Sequence, residues 1–96
     1  EKVVKELGMN EWYLEITPKA KKDLEKLDKS TQKRITDALS KMISDKERVD
    51  LRKLKNTDKW RLRVGTYRVI LKVEENGKVT IYALRVLHRR DAYKSI

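Results

Sequence analysis

Trp60-Arg61-Leu62-Arg63-Val64 alternates apolar and basic residues without a break, and after Gly65-Thr66 the alternation resumes with Tyr67, Val69, Leu71 and Val73. A period of two belongs to strands with one face buried, so this stretch commits the C-terminal part of the chain to a sheet. That sheet has an apolar side and a side carrying Arg61, Arg63, Arg68 and Lys72 beside Ile70. Gly65-Thr66 permits a tight turn, and Asn76-Gly77 is the signal of a type I′ hairpin. The last run, Val79 to His88, is apolar on both alternations, as a central strand is, and it leads into Arg89-Arg90-Asp91-Ala92-Tyr93.

The N-terminal half reads differently. Glu11 to Ile16 alternates as a first strand, with Trp12, Leu14 and Ile16 on one face. Thr17-Pro18 is a helix start, a hydroxyl cap followed by proline at the first helical position, and Ala20, Leu24 and Leu27 then follow at helical spacing. Asp28 or Ser30 caps a second helix, whose Ile35, Ala38, Leu39, Met42 and Ile43 form one apolar stripe. Ser44 to Lys59 is polar apart from Val49, Leu51 and Leu54, which predicts an ordered connection. Glu1 to Gly8 reads as a helix-like stretch ahead of Met9, either an N-terminal extension or a remnant in front of a start at Met9. The expected architecture is a small α+β domain over 9–96: an N-terminal strand, a two-helix hairpin packed on a mainly antiparallel four-stranded sheet, and a short C-terminal segment.

Ninety-six residues suffice for one domain with one modest core. With no cysteine and one histidine, neither a disulfide framework nor a Cys/His metal cluster is expected, and no metal or cofactor is predicted. No apolar run approaches the roughly 20 residues of a bilayer span, and no signal-peptide core opens the chain, so it reads as cytoplasmic and not membrane-bound. The net charge of +10 favours polyanionic partners. From Trp60 to Ile96 there are nine Lys/Arg against three Asp/Glu, and six of the nine arginines lie there. Arginine grips phosphate with a flat bidentate fork, so the asymmetry points to a phosphate site in the C-terminal part.

No glycine-rich phosphate loop and no recognisable nucleophile triad is present. The informative set is Arg61, Arg63, Arg68, His88, Arg89, Arg90 and Tyr93, which adjacent strands are expected to bring onto one concave face, with Lys72 further along. Each has a plainer reading. Arg61 and Arg63 suit a solvated sheet face, Arg68 a salt bridge, His88 a strand end, and Tyr93 a core plug. Arg89 and Arg90 are adjacent and point opposite ways if extended, so one faces the site, Arg89 by preference. His88 alone titrates near neutrality without perturbation, which suits proton transfer, and Tyr93 suits stacking on a base. RNA cleavage is one coherent use of this set. Attack of a 2′-hydroxyl on its own phosphate needs proton transfer and stabilisation of a dianionic phosphorane, which arginines supply, and no metal.

The order of elements, the Thr17-Pro18-x-Ala20 helix, Trp60-Arg-Leu-Arg-Val64, Gly65-Thr-Tyr-Arg-Val-Ile70 and the ending Val86-Leu-His-Arg-Arg-Asp-Ala-Tyr93 resemble the RelE/ParE toxin superfamily from about Met9 onward. The resemblance implies a toxin of a type II toxin–antitoxin system that cuts messenger RNA in the ribosomal A site without a metal. It also implies a RelB-like antitoxin that wraps and silences it, a monomeric free toxin and a heterotetramer with the antitoxin. By position it assigns Arg61 and Arg63 to the paired basic residues of the strand, Arg68 to the arginine after the turn, Arg89 to the arginine ending the last strand, and Tyr93 to the C-terminal tyrosine. Arginine replaces the lysine pair of the founding member and Tyr93 lies nearer the preceding arginine, which leaves the general base open, since arginine does not deprotonate. His88 is the alternative proton-transfer group. Two other roles are compatible with the resemblance: a ParE-type inhibitor of DNA gyrase, and a catalytically idle module that binds an antitoxin and tunes repression of their operon. A generic RNA-binding sheet ranks last, because Trp60 and Tyr67 fall on the apolar side rather than among the arginines.

Overall fold

The computed structural model describes the backbone of residues 2–7, 10–75 and 77–92, and the side chains of residues 13–92 other than 46 and 76. The order is β1 (Lys2–Leu7), β2 (Asn10–Ile16), α1 (Pro18–Glu25), α2 (Lys29–Ser44), a 3-10 turn (Lys46–Arg48), β3 (Asp50–Lys53), β4 (Lys59–Val64), β5 (Tyr67–Glu75), β6 (Val79–His88) and α3 (Arg89–Ala92). All strands join one sheet in the order β1-β2-β6-β5-β4-β3, and every neighbouring pair is antiparallel except β2 with β6.

The four expected strands are its centre, and one more extends it at each edge. Lys2–Leu7 is a strand, not a helix, paired from Lys2 opposite Glu15 to Leu7 opposite Asn10. The β-branched Val3-Val4 pair suits a strand, and the free edge of β2 offers it a partner. At the other edge, the connection after α2 contains β3, aligned with β4 from Asp50 opposite Arg63 to Lys53 opposite Trp60.

Both long helices lie on one side of the sheet. Ala20 and Leu24 of α1 and Ile35, Leu39, Met42 and Ile43 of α2 are buried against Leu14, Leu62, Val69, Leu71, Ile81, Ala83 and Val86. Each fully buried Ile or Leu contributes on the order of 1.5–3 kcal/mol through removal from water. We call this the helix face and its reverse the outer face. Thr17 caps α1 as expected, its hydroxyl oxygen accepting the Ala20 N–H at 3.2 Å. Asp28, rather than Ser30, occupies the N-cap position of α2.

The β4–β5 turn is the expected two-residue turn, with Val64 opposite Tyr67 and Gly65 at φ +59°. The β5–β6 turn is not: Glu75 pairs with Val79, so three residues, 76–78, connect the strands, with Gly77 at φ +78°. Asn76 itself lies outside the described residues.

A β-bulge interrupts β6, where Ile70 of β5 faces Arg85 while the next residue, Leu71, faces Ala83. The extra residue disturbs the alternation that an uninterrupted strand would keep. Ile81, Ala83 and Val86 are all on the helix face, whereas Leu84 and Leu87 join Ile70 and Ala92 in a small second cluster on the outer face. That cluster seats α3 on the outer face at the end of β5 and β6.

Candidate functional site

The tight β4–β5 turn fixes which basic residues meet. Its register puts Arg63 directly opposite Arg68 and Arg61 opposite Ile70, all on the outer face, away from Leu62 and Val69. Antiparallel partners of this kind are close enough for their side chains to act together. The short strand β3 adds Asp50 opposite Arg63 and Arg52 opposite Arg61.

Asp50 is the anion of this cluster. Its Oδ1 accepts a hydrogen bond from Arg61 Nη2 at 3.0 Å, Arg63 Nη1 lies 3.8 Å from Oδ2, and Arg52 Nε lies 3.9 Å from Oδ1. The side chain of Arg61 is 13% exposed, that of Arg63 55% and that of Asp50 42%. Arg63 therefore presents its fork to solvent, and Arg61 lies beneath it with one edge held by the carboxylate. The sequence reading passed over Asp50 as part of a connection; its only signal was the faint alternation of Asp50-Leu51-Arg52.

Arg68 is 7% exposed. Its Nη1 donates to the carbonyls of Gly65 at 3.0 Å and Tyr67 at 2.9 Å, and its buried Nε has no hydrogen-bond partner. The salt bridge expected of Arg68 does not describe it: the guanidinium braces the turn from within. On the other side of the same turn, Arg34 of α2 lies over Gly65, where an added Cβ would come within 3.0 Å of Arg34 Nη2. Arg34 was not among the residues read from sequence.

His88 does not share the arginine face. It pairs with Tyr67, whose ring packs on the main core, and the two rings meet edge to face with centroids 5.6 Å apart and planes at 81°. The expectation that one concave face gathers Arg68 and His88 therefore fails, and the residue opposite Arg68 is Leu87. The bulge is the reason, because it shifts the alternation of β6 before His88 is reached. His88 Nδ1 accepts the backbone N–H of Arg90 at 3.2 Å, so the imidazole caps the first turn of α3.

The bulge is held from the helix face. Thr17 Oγ1 donates to the Ala83 carbonyl at 3.0 Å, with the Leu84 carbonyl at 3.2 Å. Asp23 Oδ2 accepts both Arg85 Nε and the Val86 N–H, each at 2.9 Å, and Oδ1 accepts Arg85 Nη2 at 3.3 Å. Partial burial raises the Asp23 pKa, but the hydrogen bonds from Arg85 and Val86 and the charges of Arg85 and Lys26 outweigh it, leaving the carboxyl below its ordinary value.

Of the remaining candidates, Arg89 opens α3, its N–H donating to the Thr66 carbonyl at 2.8 Å, and both Arg89 and Arg90 are exposed. Thus α3 starts beside the arginine turn. Lys72 lies four residues from Arg68, about 13 Å along the strand at ~3.3 Å per residue. It is within 3.7 Å of Glu74 and 3.9 Å of Asp58. Nearby Tyr82 has its pKa raised by desolvation and by the charges of Glu74 and Glu15. The outer face is thus polarised, basic near the β4–β5 turn and mixed to acidic near Lys72. Tyr93 lies outside the described residues. Among the described residues no group of three His, Asp or Glu has metal-binding geometry, and no helix is long and apolar enough to cross a membrane.

This fold has relatives of known kind. It is similar to a chain of the RelB–RelE antitoxin–toxin complex from Methanococcus jannaschii at 29% identity and TM-score 0.65, with 85% of this chain and 98% of that chain covered. Against the archaeal RelE–RelB complex from Pyrococcus horikoshii the identity is 29% and the TM-score 0.67, over 82% of this chain and 96% of that one. The toxin–antitoxin complex RelBE2 from Mycobacterium tuberculosis shares the fold at 24% identity and TM-score 0.52, over 79% and 95% of the two chains. No curated protein sequence matches closely enough to count as a relative. The family model described as the ParE toxin of type II toxin–antitoxin systems, parDE, matches residues 14–93, from the middle of β2 to just past α3. The chain therefore belongs to the RelE/ParE superfamily and is a toxin of a type II toxin–antitoxin system.

Proposed function

We propose that this toxin is a metal-independent endoribonuclease that cuts messenger RNA in the ribosomal A site and so inhibits translation. The observation that carries this reading is the placement of Arg61 and Arg63 on the open outer face, beside the turn braced by Arg68 and the exposed start of α3 at Arg89. Guanidinium groups aligned on one surface suit a phosphodiester backbone and the charge that builds on a phosphorane. In this scheme Arg61, Arg63, Arg89 and Arg90 hold phosphate. Arg68 fixes the turn from within. Lys72, engaged with Glu74 and Asp58, marks the far limit of the RNA path. Tyr93, four residues past Arg89, is the candidate for stacking or proton transfer. His88 acts through α3 by capping it, rather than by direct proton transfer.

The partner in this reading is a RelB-like antitoxin, as in the solved complexes named above, which silences a monomeric toxin by assembling a heterotetramer in the cytoplasm. The name of the matching family model favours a second reading, inhibition of DNA gyrase by a ParE-type toxin. Purified protein added to translating ribosomes, with cut sites mapped by primer extension, separates the two when a gyrase supercoiling assay is run on the same preparation. Cuts within A-site codons support the ribonuclease; gyrase inhibition without cuts replaces it. Inactivity in both assays leaves an idle antitoxin-binding module.

A further inference from the structure

The basic face contains a carboxylate among its arginines, on the edge strand β3. Asp50 is the first residue of β3, directly opposite Arg63, and it bonds Arg61 at 3.0 Å while Arg63 and Arg52 stand at 3.8 and 3.9 Å. A phosphodiester oxygen would seek the same donors, because an arginine fork presents its N–H groups alike to carboxylate and phosphate. At 42% exposure the carboxylate is open to solvent, so a competing anion can reach it and replace it.

We infer that Asp50 is an internal counter-anion of the arginine face, which occupies the position of a phosphate in the free protein and is displaced, or repels, when a polyanion binds. The inference rests on the reading of this face as phosphate-binding.

Two consequences of opposite sign follow from one side chain. By bonding Arg61 and standing beside Arg63, Asp50 lines up both guanidinium groups before any ligand arrives. By its charge, it opposes every anion that comes within a few ångströms. A lone small anion gains too little from two arginines to dislodge it, whereas a chain of phosphates that also engages Arg89 and Arg90 makes up the loss elsewhere. Asp50 is therefore a specificity-determining residue, selecting extended phosphodiesters over single anions.

The test is fluorescence anisotropy of a labelled single-stranded RNA oligonucleotide, titrated at several salt concentrations with the unaltered chain, Asp50→Asn, Asp50→Ala and Arg61→Ala. Asn keeps an acceptor for Arg61 but removes the charge. Deleting one negative charge about 4 Å from a phosphate in water corresponds to roughly fivefold tighter binding. Freeing an arginine to release a counterion steepens the slope of log K against log salt by up to about 0.7. Asp50→Ala should also bind more tightly, by a smaller factor, because the alignment of Arg61 is lost. A purely structural role for Asp50 would leave the salt slope unmoved. If Arg61→Ala weakens binding while neither Asp50 variant tightens it or steepens the slope, the counter-anion inference falls and the phosphate-binding reading stands. If Arg61→Ala binds RNA as tightly as the unaltered chain, the phosphate reading falls and takes the inference with it.

Discussion

Asp23 and Arg85, 62 residues apart in sequence, are joined by a 2.9 Å hydrogen bond that ties α1 to β6 at the bulge. The same carboxylate takes the backbone N–H of Val86, next to the bulge, at 2.9 Å. Breaking this contact has two costs, an unpaired backbone donor and an arginine left without its counter-ion.

Asp23→Ala should lower unfolding stability by about 1–3 kcal/mol, the range for leaving a buried donor unsatisfied. For a domain of this size that is a fall of about 4–8 °C in Tm per kcal/mol, measurable by calorimetry. Asp23→Asn, which retains an acceptor, should lose less than Asp23→Ala.

The same contact sets an acid limb of stability. The folded-state pKa of Asp23 is depressed below its unfolded value, so its contribution is fully present above about pH 4, the ordinary carboxylate value, and is lost as pH falls through the lower folded value. Chemical denaturation at stepped pH should show a steeper loss below about pH 4 in the unaltered chain than in Asp23→Ala, the two curves converging in acid.

Much of this fold was legible because period and caps speak locally. Trp60 to Val64 declared a half-buried strand, Thr17-Pro18 a helix start, and Ile35 to Ile43 a buried stripe, and each forms as read. The bulge was not legible, because Tyr82 to Leu87 is apolar at almost every position and an apolar run carries no phase in which a slip would show. Hence Arg61, Arg63 and Arg68 were placed correctly together, while His88, beyond the bulge, was placed on the wrong side. Arg34 and Asp50 escaped notice because their roles arise from contacts with Gly65 and Arg61, which only the tertiary fold creates.

Gly65→Ala should be destabilising through its backbone, since the side chain it would meet, the tip of exposed Arg34, is free to swing away. The Gly65 φ of +59° lies in the left-handed region, which costs an L-residue about 1–2 kcal/mol, and the new Cβ meets Arg34 Nη2 at 3.0 Å. Arg34→Ala in the same chain should therefore recover little of the loss, a comparison that a double-mutant cycle of melting temperatures reads directly.

His88→Ala and Arg63→Ala should differ in kind. His88→Ala removes the cap of α3 and the ring contact with Tyr67, at a stability cost of about 0.5–2 kcal/mol, the range for lost caps. Its RNA affinity at low temperature should fall less than that of Arg63→Ala, because Arg89 and Arg90 keep their charge and lose only the cap that orders them. Arg63→Ala should leave Tm nearly unchanged and reduce the salt slope of RNA binding by about 0.7.

The central claim is that the arginine face acts on RNA, and ribosome-dependent cleavage tests it most directly. Primer extension on a defined message in a purified translation system, with the unaltered chain and with the Arg61→Ala/Arg63→Ala double variant, should show cuts confined to A-site codons that the double variant reduces at least about a hundredfold, the scale of losing transition-state charge stabilisation. Cuts of undiminished strength in the folded double variant, or gyrase inhibition with no cuts at all, would contradict the account.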